Sequence, residues 1–294
     1  MKRPSKTPTR NGCDSISVKS PNRSDLQDAA VAYIAEAPHK VSPGELQKFL
    51  SIRYRLDTPR ARTIIKGLLA GGELSFTYEY GTSYLEISFQ RPQRVTERIV
   101  ILPPGVDLND TRASAVVRII TGASFGSGRH PTTRLALRGI DAAATLSDCP
   151  FNQNETALLD IGTGSGILAL AALRLGFDRA VGIDPDPCAR AEAAQNAILN
   201  GLGARFLITD QPLAELPLEE PFAMVTANLR YPTLMRLCAT IVSHLAPAGW
   251  LVLSGIKCDE RAAVMAVYGE KGFVCRWWET EKGWVGLLLR PCSS

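Results

Sequence analysis

The chain has 294 residues, 45% hydrophobic and 21% charged, a balance that excludes a disordered or fibrous protein and allows two globular units. Its formal charge of +4 sits at the front, where residues 1–112 carry 17 Lys/Arg against 12 Asp/Glu and the remainder 16 against 17, so any attraction for a polyanion belongs to that part. No uncharged apolar run approaches the roughly eighteen residues of a membrane helix, the basic start lacks the apolar segment of a secretory leader, and seven scattered cysteines without a C-x-x-C pair argue for free thiols and against a zinc site; a cytoplasmic protein, monomeric and without a metal, is expected.

Residues 1–22, rich in Pro, Ser, Thr and Lys/Arg without periodicity, are expected to be a disordered tail. A small domain follows over 23–90. Ser24 or Asp25 can cap a helix with Leu26, Ala29, Ala30, Tyr33 and Ile34 on one face. Ser42-Pro43 starts a second, carrying Leu46, Phe49 and Leu50, with Ser42 and Glu45 at capping-box spacing. Asp57 or Thr58 starts a third that buries Ile64, Ile65, Leu68 and Leu69 and stops at Gly71-Gly72. Strands Leu74–Tyr78 and Tyr84–Phe89 turn near Gly81. Three helices and a hairpin resemble a winged helix, whose third helix would turn Arg60, Arg62 and Lys66 toward nucleic acid. The alternative is a solvated face on a substrate-docking module.

Residues 91–122 are expected to connect this unit to a second domain, 123–294, with strand-like pieces at Ile99–Leu102 and Val116–Ile120. The second domain opens on a dense loop, Ala123-Ser-Phe-Gly-Ser-Gly-Arg-His-Pro-Thr-Thr133, whose threonines can cap the next helix or face a ligand at its end. Strands are then expected at 157–160, 180–184, 204–208, 222–227, 250–254, 273–279 and 284–289, and helices at 166–175, 187–200, 232–245 and 259–271. Such alternation predicts an α/β fold, a Rossmann-like, mostly parallel sheet covered on both faces. The hairpin at Glu281-Lys-Gly283 predicts one antiparallel edge strand.

The stretch that points to chemistry is Ala157-Leu-Leu-Asp-Ile-Gly-Thr-Gly-Ser-Gly166. An apolar strand breaks into Gly162, Gly164 and Gly166 and runs on into a helix, the unit that brings backbone close to a nucleotide. Ile167 stands where a dinucleotide fingerprint has its third glycine. About twenty residues on, Asp184 ends the next strand, the place for an acid that accepts hydrogen bonds from ribose hydroxyls. Together they predict a nucleoside site of the S-adenosylmethionine type.

Six segments in order, F-G-S-G-R-H-P-T-T (125–133), D-I-G-T-G-S-G-I-L-A-L-A-A (160–172), G-I-D-P-D-P (182–187), N-A-I-L-N-G (196–201), A-N-L (227–229) and L-S-G-I (253–256), resemble PrmA, the methyltransferase family of large-subunit ribosomal protein L-eleven. The resemblance covers residues ~120–294 and implies a class I S-adenosylmethionine-dependent methyltransferase acting on amino groups of a protein. Thr163 replaces the family's usual cysteine, and the front of the chain does not resemble the family's ferredoxin-like recognition domain. The resemblance implies that Thr133, Gly162, Asp184 and Asn228 contact the cofactor. On physical grounds Gly162, Thr163, Gly164 and Gly166 would pass beneath its amino-acid end and ribose, with Asp160 near its ammonium or an ordered water. Pro185 would bound the adenine, and Asp210 is either a partner for the exocyclic amine or a turn residue.

Methyl transfer is an in-line displacement that needs an aligned, neutral nucleophile. The Asn228 carboxamide can accept an N–H from the incoming amine and aim its lone pair, so Asn228 is the candidate catalytic residue. His130 reads as loop packing rather than a base. Two other functions remain open: a nucleic-acid methyltransferase guided by the front domain, and a non-catalytic, cofactor-sensing DNA-binding regulator.

Overall fold

The computed structural model describes residues 21–88, 90–108, 112–120, 122, 124–146, 156–217 and 221–292; all but the last two residues of the expected tail lie outside them. The front folds into α1 (Arg23–Glu36), α2 (Pro43–Tyr54), α3 (Thr58–Ala70) and an antiparallel hairpin of β1 (Leu74–Glu79) and β2 (Thr82–Ile87). Local chemistry explains each start. Asn22 caps α1 in place of the expected Ser24 or Asp25: its Oδ1 accepts from Asp25 N, and Asp25 Oδ2 accepts from Asn22 N, both at 2.9 Å, a complete capping box. Ser42 Oγ accepts from Glu45 N at 3.2 Å, but the Glu45 carboxylate turns instead to Tyr33 Oη and His39 Nε2. Asp57 caps α3 through Arg60 N. The three helices and the hairpin close around Leu26, Leu46, Leu50, Leu68, Leu74 and Leu85, and Val41 bridges Leu85 between α1 and α2.

Residues 93–118 do more than connect. Strands β3 (Gln93–Arg94), β4 (Ile99–Leu102) and β5 (Ala115–Arg118) form a small mixed sheet. Ile99, Ile101, Ala115 and Val117 join the same apolar core as α4 (Pro131–Ala143) and α5 (Ile167–Leu175). This segment is therefore built into the second domain.

The main sheet has seven strands: β6 (Ala157–Ile161), β7 (Arg179–Ile183), β8 (Phe206–Thr209), β9 (Phe222–Asn228), β10 (Leu245–Lys257), β11 (Phe273–Glu281) and β12 (Trp284–Pro291). Their spatial order is β11-β12-β10-β9-β6-β7-β8. With α4 and α5, α6 (Pro187–Leu199) covers one face; α7 (Tyr231–Ser243) and α8 (Arg261–Glu270) cover the other. All five residues of β6 are buried, as a parallel strand covered on both faces requires. The chain winds outward from β6 to β8, then restarts at β9 on the other side of β6, leaving a crevice at the carboxyl ends of β6 and β9 where such folds bind ligands.

One expectation needs correction. The antiparallel strand is β12, and it pairs with both β10 and β11; the edge strand is β11, which runs with the parallel set. The burial pattern gives the reason. β11 alternates exposed residues with residues that are half-buried after Phe273, whereas Val285 to Leu289 of β12 are buried without a break, and a continuous apolar run suits an interior position. Leu288→Ala should therefore lower unfolding free energy by about 2–5 kcal/mol, while Val274→Ala on β11 should change it by no more than about 0.5 kcal/mol. Equal losses in urea unfolding would contradict the interior placement of β12.

Candidate active site

The glycine turn leaves β6 at Ile161 and enters α5. Gly162, Gly164 and Gly166 all have positive φ (72°, 54° and 81°), and Gly162 N and Thr163 N both donate to Ile183 O at 2.8 and 3.0 Å. Gly164 shows what the spacing is for. A Cβ there would lie 2.4 Å from Phe125 O, so the loop that opens the second domain sits directly on the turn, and Ser165 N donates to that same oxygen at 2.9 Å. Gly162 is covered by Leu229, and Gly166 faces the Phe206 ring at the start of α5.

Asp160 and Thr163 meet beneath this turn. Asp160 is fully buried and accepts from Thr226 Oγ1 at 2.6 Å and Thr163 Oγ1 at 2.7 Å. Burial pushes its carboxyl up to about 6, against the opposing effect of the two hydroxyls. The pair thus braces the turn from below, joining β6 and β9. Asp184 braces it from the side: its Oδ2 accepts from Gly164 N at 2.9 Å and its Oδ1 from Asp186 N at 3.0 Å. Asp184 is half-buried and Pro185 exposed. Arg190 donates to the carbonyls of both and pairs with the exposed Asp210 at 3.2 Å, which brings Asp210 to the rim beside Asp184.

Across the crevice, Asn228 ends β9 and pairs in register with Ser254 of β10. Its carboxamide has no hydrogen-bond partner among the described residues. Leu229 N donates to Ser254 O, and Gly255 lies so close that a Cβ would meet Leu229 O at 2.2 Å. The first turn of α4 completes the edge. Neither Thr132 nor Thr133 is its cap; His130 is, accepting from Thr132 N at 3.3 Å. That frees the Thr133 hydroxyl, which is buried without a hydrogen-bond partner. The His130 ring lies between Phe125 and Trp284, centroids 5.2 and 5.3 Å away, and burial, then the Arg134 charge, pulls its pKa down.

Residues to which the sequence argument assigned no role hold the loop in place. Glu192, Asn196 and Asn200 share one face of α6 and its C-cap at a spacing of four. Glu192 accepts from Ser124 N, Asn196 Oδ1 from Ile120 N at 2.9 Å, and Asn200 Oδ1 from Arg118 N at 2.9 Å. Asn196 Nδ2 also donates to Ser165 O. Ser254 Oγ donates to Thr132 O. The available signal was a file of polar residues at a spacing of four beside the buried alanines of α6, read only as part of a motif.

An uncommitted carboxamide, an orphaned buried hydroxyl and a half-buried carboxylate on the carboxyl edge of this sheet suit a polar nucleoside ligand. Strand order, one antiparallel strand and glycine turn together define the Rossmann-like class I methyltransferase fold. A family model described as ribosomal protein L11 methyltransferase (PrmA) matches residues 86–291, and the chain belongs to that family. The match starts earlier than the motifs, taking in the small mixed sheet. A ribosomal protein L11 methyltransferase of Geobacter metallireducens is 36% identical over 199 residues, 68% of this chain and 62% of the relative; one from Xanthomonas campestris is 41% identical over 175 residues, 56% and 53%. The chain thus spans less than two thirds of the length of these relatives. The crystal structure of a ribosomal protein L11 methylase from Lactobacillus delbrueckii subsp. bulgaricus superposes with a TM-score of 0.59 at 27% identity, covering 68% of this chain and 99% of that one. Among the described residues no helix is long and apolar enough to cross a membrane.

The Asp160 pKa gives a test with a definite sign. Because the folded value exceeds the ordinary one of 3.8, the folded state holds the proton more tightly, and the associated stability is full below about pH 4 and lost as pH rises through about 6. Asp160→Asn should remove that decline, so melting temperatures of wild type and variant should diverge between pH 4 and 7 in the variant's favour. Parallel curves would show that the carboxyl is not perturbed.

Proposed function

We propose that the chain is an S-adenosylmethionine-dependent methyltransferase acting on amino groups, a lysine side chain or an α-amine, of a ribosomal protein. The observation that carries this is the crevice between β6 and β9, with Asp184 on one rim and Asn228 on the other. When bound, the cofactor supplies a methyl group on a positively charged sulfur. Asp184 would accept the ribose hydroxyls through charge-assisted bonds of about 1.5–3 kcal/mol each, with Pro185 against the base and Asp210 near its amine. Gly162, Gly164 and Gly166 let the turn lie close beneath. The Thr133 hydroxyl donates or accepts at the first turn of α4, and the Asp160–Thr163–Thr226 set keeps the turn rigid from below.

Asn228 orients the nucleophile. A lysine of pKa near 10.4 is neutral only about once in a few thousand at pH 7, and an α-amine near 7.7–8.0 about a tenth of the time. The Asn228 oxygen accepts one N–H of the neutral amine and holds its lone pair in line, while Leu229, lying over Gly162, keeps water from that end of the crevice and so disfavours the ammonium form.

A second role belongs to the front unit, as a winged-helix-like module that contacts nucleic acid. Arg60, Arg62 and Lys66 are exposed on α3, and Phe76, Tyr78 and Tyr80 of the hairpin are 57%, 71% and 102% exposed, the combination of cations and open aromatic faces that nucleic acid uses. This is a way to reach a ribosome-associated substrate rather than a different reaction.

Incubation with tritiated cofactor and a ribosome-bearing lysate should label a protein band that survives nuclease and not protease; label with the opposite sensitivity would overturn the protein-methylation assignment. Asn228→Ala should bind cofactor within a few-fold of wild type and lose at least about a hundredfold in transfer rate, whereas Asp184→Ala should weaken cofactor binding about tenfold or more by calorimetry. Undiminished turnover by Asn228→Ala would remove that residue from the mechanism.

A further inference from the structure

A cavity of about 840 Å³ lies between the front unit and the sheet domain. It is separate from the crevice, since neither the glycine turn nor Asp184 nor Asn228 lines it. One wall is the end of α1 with β2, including Ile34 and Leu85; the other is the loop over the turn, one side of α4 and the β11–β12 hairpin tip. The loop serves both spaces: Phe125 lines the cavity while its carbonyl accepts from Ser165 in the glycine turn. A chain lying in the cavity therefore ends beside the crevice.

The lining has a charge bias. Among its described residues six are lysine or arginine and two, Glu86 and Glu281, are glutamate. Carboxylates answer most of this charge: Lys40 pairs with Glu79, Arg134 and Arg138 with Glu281, Arg138 also with Glu279 at 2.6 Å, and Arg129 with Glu86 at 2.8 Å. By formal count six lining cations still face four carboxylates, Glu79, Glu86, Glu279 and Glu281. His130 and Lys282 are both pushed toward their neutral forms by burial first and the Arg134 charge second, with only Glu281 opposing. Lys282 Nζ meanwhile donates to Ile34 O at 3.2 Å, tying the hairpin tip to the last turn of α1. Between the cations the walls are apolar, through Val41, Leu85, Ile87, Phe125 and Pro131.

We propose that this cavity is the docking cleft for a segment of the acceptor protein that carries carboxylates beside apolar side chains. The proposal rests on the methyltransferase function above and specifies its substrate. Cations set among mostly aliphatic walls suit alternating acidic and apolar side chains; a nucleic-acid strand would call for a run of aromatic faces on which successive bases stack, and among its described residues the lining offers Phe125 as its one phenyl side chain. The same positive field repels an ammonium group, so the amine to be methylated stays out of the cavity and an acidic neighbour anchors it nearby.

Fluorescence anisotropy with the full chain tests this, using a labelled peptide of about twelve residues in which glutamate alternates with leucine and serine, its glutamine counterpart, and an RNA oligonucleotide of matching charge. The acidic peptide should bind about tenfold or more tighter than the glutamine peptide. Lys40→Gln combined with Arg138→Gln should erase most of that preference, and the single Lys40→Gln, at a half-exposed site, should erase part of it without threatening the fold. Equal affinity for both peptides, indifference to both variants, or tighter binding by the RNA in competition with the acidic peptide would overturn the proposal. Calorimetric titration of wild type with S-adenosylmethionine runs alongside: no heat there would defeat the methyltransferase function, while the peptide data would still decide whether the cleft selects carboxylates.

Discussion

The site depends on backbone amides that no strand satisfies. The N–H groups of Arg118, Ile120 and Ser124 find acceptors in Asn200, Asn196 and Glu192, on α6 and its cap, instead of in a neighbouring strand. A buried amide without a partner costs roughly 1–3 kcal/mol, so three such groups set one path for the chain. That path delivers Phe125 O onto Gly164 and Ser165, and the loop on the turn is what closes the crevice and walls the cavity behind it. A helix side chain thus does the work of a sheet edge, one layer away from the ligand.

Under the turn the logic is the same with the sign of cost reversed. Asp160 is buried at the price of a raised pKa, and the two threonine hydroxyls that offset it come from different elements, Thr226 on β9 and Thr163 in the turn. Because the carboxyl meets both, it ties the glycine turn to β9 beside the paired strands β6 and β9, at whose carboxyl ends the crevice opens. Asp184 then needs no help from its own strand, since Gly164 and Asp186 hold its oxygens in place through their amides.

Much of this was legible in residue order. Apolar runs bounded by glycine and proline mark β6, β7 and β9, and caps such as Ser42 and Asp57 mark α2 and α3, because these elements are decided by neighbours in sequence. Three features were not legible, each decided by residues far apart. The place of β12 between β10 and β11 follows from the pairing of Leu251 with Leu289, although its unbroken apolar run was the available clue. The cap of α4 passes to His130 because its ring is held between Phe125 and Trp284. The inward turn of Asp160 and Thr163 depends on Thr226, 66 residues from Asp160, which no spacing within the motif announces. The residues proposed to hold the cofactor lie along the carboxyl edge, where Asp160, Asp184 and Asn228 are placed by the ends of their strands and Thr133 by the first turn of α4.

Strand β10 outlasts its parallel neighbour. Its last pair with β9 is Ser254 with Asn228, yet it continues through Gly255, Ile256 and Lys257 alongside β12, across a register shift between Leu253 and Ile256. The surplus stands above the floor of the crevice like a parapet on one side. Beside it, at the tip of the β11–β12 hairpin, Lys282 reaches the last turn of α1. The front unit thus meets the sheet domain at a hairpin tip carried past the last β9 rung, so each residue added to or removed from both strands of the β10–β12 extension would move that contact by about 3.3 Å.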